Sequence, residues 1–200
     1  MPASPTLVLF AKYPIPGYAK TRLIPALGPE GAARIHRHLT ERTVATLIAS
    51  GGATEIRHAG AGAAQFRAWL GDAPALVEQV EGGLTERLID AVRPTPHIFF
   101  GADTPDLTVA IVLSAMDALM SHDIVLGPAE DGGYYLIGMA QARPELLTDM
   151  PWSTSQVFPE TLRRCEALGL SVAILPVLSD CDTPDDLGRW PDLASQASLA

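Results

Sequence analysis

The chain has 200 residues, 48% of them hydrophobic and 18% charged, and its 14 basic against 23 acidic side chains give a formal charge of −9. A chain of that length buries roughly two-thirds of its unfolded surface in one core. The negative charge excludes non-specific binding to nucleic acid or to an anionic membrane, so any anionic ligand would need a local basic cluster working against the overall field.

No apolar run approaches the roughly 20 residues of a membrane-spanning helix, so membrane insertion is not expected. The first residues, MPASPTLVLFAKY, are apolar only from Leu7 to Ala11 and lack a basic n-region, which does not read as a signal peptide. Cys165 and Cys181 have no C-x-x-C partner and no histidine cluster nearby. They read as ordinary thiols of a cytoplasmic protein, not as a disulfide framework or a zinc site.

In chain order, Leu7 to Ala11 is a compact strand, followed by a glycine- and proline-containing loop. Gly31 to Ser50 places Ile35, Leu39, Leu47 and Ile48 on one helical face. Glu55 to Ala59 reads as a strand, and Gln65 to Leu70 and Leu84 to Val92 as helices. His97 to Gly101 is a strand, Leu107 to Met120 a helix and Asp123 to Gly127 a strand. Asp131-Gly132 is a turn dipeptide, after which Tyr134 to Met139 adds an antiparallel strand. Arg163 to Leu168 ends a helix at Gly169, and Ser171 to Val177 is another strand. Apolar strands alternating with helices predict a single α/β domain, a three-layer sandwich with a mostly parallel, Rossmann-like mixed sheet.

Both lysines of the chain, Lys12 and Lys20, fall in the first loop, FAKYPIPGYAKTRL, with Arg22 beside them; the other eleven basic residues are arginines. Gly17 allows close backbone approach, and Lys20 and Arg22 offer point-charge and forked donors to phosphate oxygens. The loop is neither a P-loop nor a G-x-G-x-x-G fingerprint. Two other segments, HIFFGADTPDL and VAILPVLSDCDTPDDL, both run from a strand into Asp-Thr-Pro-Asp. In each, the motif is expected to start a helix, with Asp or Thr as cap and Pro in the first turn. Capping does not require two matching aspartates. Asp103 and Asp182, at strand carboxyl ends where ligands of open sheets bind, would repel each other unless a cation lay between them. Mg²⁺ takes one or two carboxylates and completes its shell with water and phosphate.

FAKYPIPGYAKTRL, GADTPDL, VLGPAEDGGYYLIGM, PWSTSQVF and DCDTPDDL, in that order, resemble the small bacterial GT-A-type family described as cofC-like glycosyltransferases. That family is associated with radical-SAM and selenium- or arsenic-related genes, and some members are labelled arsenosugar-biosynthesis glycosyltransferases. The resemblance implies the nucleotide-diphospho-sugar transferase fold, with Mg²⁺ or Mn²⁺ on Asp103 and Asp182. It places Ala11, Lys12, Gly17, Lys20, Arg22 and Asp103 on the nucleotide side, with Gly83 and Arg87 of EGGLTERL. That segment has Gly83 and Thr85 where the family's G-D-L-G-E-R carries Asp and its second Gly. Glu130, Asp131, Gly132 and Gly133, with Trp152, Ser153 and Thr154, would form the acceptor side. The same residues also admit plain structural roles: a hairpin turn at Asp131-Gly132, packing for Trp152, and a helix cap at Ser153 or Thr154.

Two activities follow from the resemblance. In the leading one, a glycosyl group passes from a nucleotide sugar to a small-molecule acceptor, with Lys20 or Arg22 meeting the departing diphosphate and Asp131 orienting or deprotonating the acceptor. In the alternative, a nucleotidylyltransferase joins a nucleoside triphosphate to a phosphorylated small molecule. A non-catalytic binding domain is the third reading, and retention of both aspartates argues against it. The sequence leaves oligomeric state open.

Overall fold

The computed structural model describes residues 4–197. Seven strands form one sheet: β1 (Thr6–Lys12), β2 (Thr54–Ala59), β3 (Ala75–Glu78), β4 (His97–Phe100), β5 (Ile124–Pro128), β6 (Tyr134–Met139) and β7 (Val172–Ile174). Their spatial order is β3-β2-β1-β4-β6-β5-β7. All are parallel except β6, which runs antiparallel between β4 and β5. The mixed α/β architecture and the antiparallel strand both match the sequence expectation.

Helices cover both faces. One face joins Leu7, Leu9, Ile56, Ile98 and Phe100 to Val44 and Leu47 of α1 (Ile24–Ala49), Phe66 of α2 (Ala63–Leu70), and Val112 and Ala115 of α4 (Val109–Ala118). The opposite face joins Val8, Phe99, Leu126 and Ile137 to Leu88 of α3 (Leu84–Ala91) and Cys165 of α5 (Val157–Ala167). Alternate residues of β1 and β4 thus serve opposite layers, as the pleat dictates. A third cluster packs Leu23, Ile35 and Leu39 against Cys181, Leu187 of α6 (Pro184–Leu187) and Leu193 of α7 (Pro191–Gln196). This cluster carries residues 180–193 back against the start of α1. Asp182 and the first loop become neighbours as a result.

Strand order reverses between β1 and β4, since β2 follows β1 outward on one side and β4 lies on the other. The carboxyl ends of those two strands therefore open a crevice at a topological switch point.

Several local expectations need correction. The first helix begins at Ile24, seven residues before the expected Gly31, and is interrupted at Gly28 (φ 68°, ψ 169°) ahead of Pro29. Ile48 is 39% exposed, and Val44 takes the buried position beside Leu47. The edge strand β3 was not expected. The two Asp-Thr-Pro-Asp segments also differ. The second does start a helix: Thr183 caps α6, Pro184 follows, and Asp186 Oδ2 accepts from the Thr183 amide at 2.7 Å. The first does not. Thr108 caps α4, accepting from the Ile111 amide at 3.4 Å, and Asp103 to Asp106 lie in a loop before it. Thr104 donates its hydroxyl to Asp180 at 2.5 Å, tying this segment to the one after β7, and the helix after it starts only at Val109.

Candidate functional site

A cavity of about 560 Å³ opens at the switch point, lined by the first loop, the β4 and β6 ends and the Trp152–Thr154 segment. The loops that build it are joined through backbone. The Cys181 amide donates to the Asp103 carbonyl at 2.8 Å, which fixes the turn after β4 against the segment after β7. Asp103 and Asp182 consequently face one another across a single group.

That group is Lys20. Its Nζ lies 2.6 Å from Asp103 Oδ1 and 2.6 Å from Asp182 Oδ1, and it donates to the Cys181 carbonyl at 2.7 Å. An ammonium has three protons, and three oxygens surround this one. The side chain is 4% exposed, against 44% and 42% for the two carboxylates. Burial pulls the Lys20 pKa down, but the charges of Asp103 and Asp182 outweigh it and hold the group above its usual value. Burial pushes Asp103 up, and Lys20 more than reverses it. Lys20 also sits in the left-handed region (φ 46°, ψ 47°), which costs a non-glycine residue about 1–3 kcal/mol. The clamp holds it there.

The other loop cations are placed differently. Lys12 and Arg22 are exposed, line the cavity, and have no salt-bridge partner among the described residues. Gly17 (φ 84°) turns the exposed tip of the loop and does not line this cavity. A smaller adjoining pocket of about 330 Å³ is bounded by Ala11, Lys12, Gln79, Gly82, Gly83 and Arg87, and shares Phe10, Lys12 and Leu84 with the larger one. Arg87 donates to Gln79 Oε1 at 3.2 Å.

On the far wall, Asp131, Gly133, Trp152, Ser153 and Thr154 all line the cavity. Asp131 Oδ1 accepts from the Gly133 amide at 2.8 Å. Ser153 is a further non-glycine residue at positive φ (61°). Glu130 and Gly132 do not line it. Glu130 is held by Arg189 at 2.6 and 3.1 Å, and that hydrogen bond pulls its carboxyl down to about 2. Gly132 is a packing position: at φ 89°, a Cβ there would meet the Ser155 carbonyl oxygen at 2.5 Å.

Two groups escaped the sequence reading. His36 of α1 lines the cavity and donates Nε2–H to the Lys12 carbonyl at 2.9 Å. Asp180 lies beside the pair. Burial pushes it up to about 6; the Thr104 hydroxyl opposes that, and Asp103, Asp131 and Asp182 add to it. The four acids of SDCDTPDD near a strand end were the available signal.

Among the described residues no three His, Cys, Asp or Glu side chains form a metal cage. The Asp103–Asp182 pair nonetheless fits a hard divalent cation. Each carboxylate spends one oxygen on Lys20, and the other has no hydrogen-bond donor among the described residues. Two half-exposed carboxylates lining the cavity suit a cation that completes its shell with water and phosphate.

A model of the family described as "Uncharacterized protein conserved in bacteria (DUF2064)" matches residues 43–154. No curated protein matches the chain. Among solved structures, a candidate nucleotide-diphospho-sugar transferase of Desulfovibrio desulfuricans G20 is 27% identical, covers 96% of this chain and 97% of its own, and has a TM-score of 0.84. The inositol-1-phosphate CTP transferase of T. maritima is 13% identical over 100% and 99% of the chains, TM-score 0.57. Glucosyl-3-phosphoglycerate synthase of Mycobacterium tuberculosis, in complex with Mn²⁺, UDP and glucosyl-3-phosphoglycerate, is 14% identical over 98% and 81%, TM-score 0.57. These likenesses place the fold with the nucleotide-diphospho-sugar transferases and nucleotidyltransferases.

Proposed function

The chain belongs to that bacterial family, and from this premise we propose that it is a metal-dependent transferase using a nucleotide-activated donor, with glycosyl transfer from a nucleotide sugar as its reaction. The observation that carries the reading is the Asp103–Lys20–Asp182 clamp at the switch point, in a cavity that adjoins a smaller pocket. The finer kinship with cofC-like, arsenosugar-type glycosyltransferases is part of the same proposal.

Ala11, Gly83 and Arg87 receive the nucleoside end of the donor in the smaller pocket, and Lys12 and Arg22 meet its phosphates. Lys20 holds the two aspartates together; its own protons are spent on them, so it positions the pair and leaves phosphate contact to its neighbours. Asp103 and Asp182 would hold Mg²⁺ or Mn²⁺, which when bound neutralises charge on the departing diphosphate. Asp131, with one oxygen engaged by the Gly133 amide, offers its other oxygen to the acceptor proton.

A nucleotidylyltransferase reading rests on Lys12 and Arg22, two exposed cations without salt bridges among the described residues, which would also suit a triphosphate. Product analysis separates the two. With Mn²⁺ or Mg²⁺ and a panel of sugar nucleotides and triphosphates, a nucleoside diphosphate released from a sugar nucleotide supports glycosyl transfer. Pyrophosphate released from a triphosphate contradicts it in favour of nucleotidyl transfer.

A further inference from the structure

Away from the carboxylate pair and the first-loop cations, the cavity has a largely apolar stretch of wall, with Asp131, Ser153 and Thr154 as the polar residues beside it. Phe10 and Phe99 project from β1 and β4 toward the layer of α3 and α5, ring centroids 5.6 Å apart and edge to face. Leu84 and Leu88 close one side, and Tyr134 and Trp152, edge to face at 6.2 Å, close another.

Trp152 is fixed by a short relay. Its indole N–H donates to Thr85 Oγ1 at 2.7 Å, and the Thr85 hydroxyl donates to the Leu147 carbonyl at 3.3 Å. Thr85, in the first turn of α3, thus supplies the hydrogen-bond partner of the indole. The relay uses the only polar atom of the ring and leaves its faces apolar.

Charge separates the two ends of the cavity. Lys12, Lys20 and Arg22 all come from β1 and the loop after it. Opposite them, the residues of α3, the turn at 131–133, β6 and residues 152–157 that line this cavity include Asp131 and no cation; Arg87 of α3 lines the smaller pocket instead. Arg164 of α5 is consumed by Glu160 at 2.7 Å and by the carbonyls of Glu145, Thr148 and Asp149. A phosphate or carboxylate seated on this wall would face Asp131 without a cationic donor, a costly arrangement for a desolvated anion.

We propose that the acceptor is an uncharged molecule with an aromatic or alkyl body, seated among Leu84, Phe99, Tyr134 and Trp152 with its hydroxyl toward Asp131. This rests on the glycosyl-transfer reading of the site. In the step itself a bond forms between the acceptor oxygen and the anomeric carbon. The bond from that carbon to the diphosphate oxygen breaks, its electron pair leaving with the nucleoside diphosphate, and the acceptor proton passes to Asp131.

The test compares benzyl alcohol with benzyl phosphate by ligand-observed NMR titration, on the full chain and on Trp152→Ala and Leu84→Arg. Benzyl alcohol is expected to bind at least about tenfold more tightly than benzyl phosphate, and Trp152→Ala to weaken it about tenfold, the scale of a lost aromatic contact. Leu84 is 44% exposed, so Leu84→Arg keeps the fold and should narrow the gap by admitting the phosphate. Equal or tighter binding of benzyl phosphate to the unmodified chain overturns the proposal, as does an unchanged gap in Leu84→Arg. The probes contain neither nucleotide nor metal. Nucleotide binding is titrated separately: its absence would sink the donor reading and with it the acceptor role of this wall, whereas nucleotide binding with a preference for benzyl phosphate would sink this proposal alone.

Discussion

Lys20 and Asp182 are 162 residues apart in sequence and meet at 2.6 Å through Nζ and Oδ1. Asp103 shares the same ammonium at the same distance. Replacing Lys20 by Met leaves two facing carboxylates without their cation, and removes the group that the left-handed backbone at position 20 serves. Fully buried pairs broken on one side lose about 3–5 kcal/mol; with both carboxylates half in water, about 1–3 kcal/mol is expected here. Millimolar Mn²⁺ should return more stability to Lys20→Met than it adds to the unmodified chain. Urea denaturation with and without Mn²⁺ measures both effects, and equal metal effects on the two proteins would contradict the account.

The clamp also sets a pH window. Lys20 is held above its usual 10.5, so its contribution is fully present below pH 10.5 and is lost as pH rises through the raised value. Asp103 is held below 3.8, so its contribution is present above that and is lost as pH falls through the lowered value. Asp180 works in the opposite sense. With its pKa pushed up from 3.8 to about 6, the folded chain keeps a proton that the unfolded chain has released, and stability falls as pH rises across that interval. Asp180→Asn should therefore stabilise the protein at pH 8, by about 1–2 kcal/mol after discounting for residual solvent, and have little effect at pH 4. Denaturation curves at the two pH values decide it; an equal change at both would show that the substitution acts through packing.

The residues after β5 are predicted to divide sharply. Asp131 lines the cavity, while Glu130 is engaged by Arg189 outside it. Asp131→Asn should lower turnover at least about tenfold, the lower end of a lost proton-accepting group, and Glu130→Gln should leave it within about twofold. Steady-state rates with the donor identified by product analysis test the pair. Equal losses would mean that both acids act in the site.

Gly132→Ala is expected to destabilise the chain by about 2–4 kcal/mol, because it combines a positive-φ position with a backbone collision. The new methyl would lie 2.5 Å from the Ser155 carbonyl oxygen, which a side-chain rotation cannot relieve. A shift of the thermal midpoint smaller than that of an exposed alanine substitution would show that the turn can open.

Local chemistry made much of this fold legible. The apolar runs of β1, β4 and β5 are buried on both faces, and their sequences are nearly continuous in Val, Ile, Leu and Phe. Tyr134 to Met139 was readable as antiparallel because a turn dipeptide precedes it. The edge strand β3 was not, since its residues are exposed or half-buried and lack a contrast between faces. Matching Asp-Thr-Pro-Asp segments suggested matching helix starts, but a contact between Thr104 and Asp180, 76 residues apart, ties the first to the segment after β7. The two lysines show the same boundary. Their loop was visible in the sequence, but the burial of Lys20 between two aspartates depends on Leu187 and Leu193 packing against Ile35 and Leu39. No local pattern encodes that contact. Likewise Thr85 stood out only as a departure from a motif until the indole of Trp152 was found bonded to it.

The most direct test of the central claim is Mn²⁺ binding followed by electron paramagnetic resonance, with and without UDP or GDP, on the unmodified chain and on Asp103→Asn and Asp182→Asn. The account predicts one Mn²⁺ per chain, bound more tightly when nucleotide is present and weakened at least about tenfold by either substitution, since each removes one of two charged ligands. Mn²⁺ binding that both variants retain unchanged, or an unmodified chain that binds neither Mn²⁺ nor its nucleotide complex, would mean that Lys20 alone is the cation this pair of aspartates was built to hold.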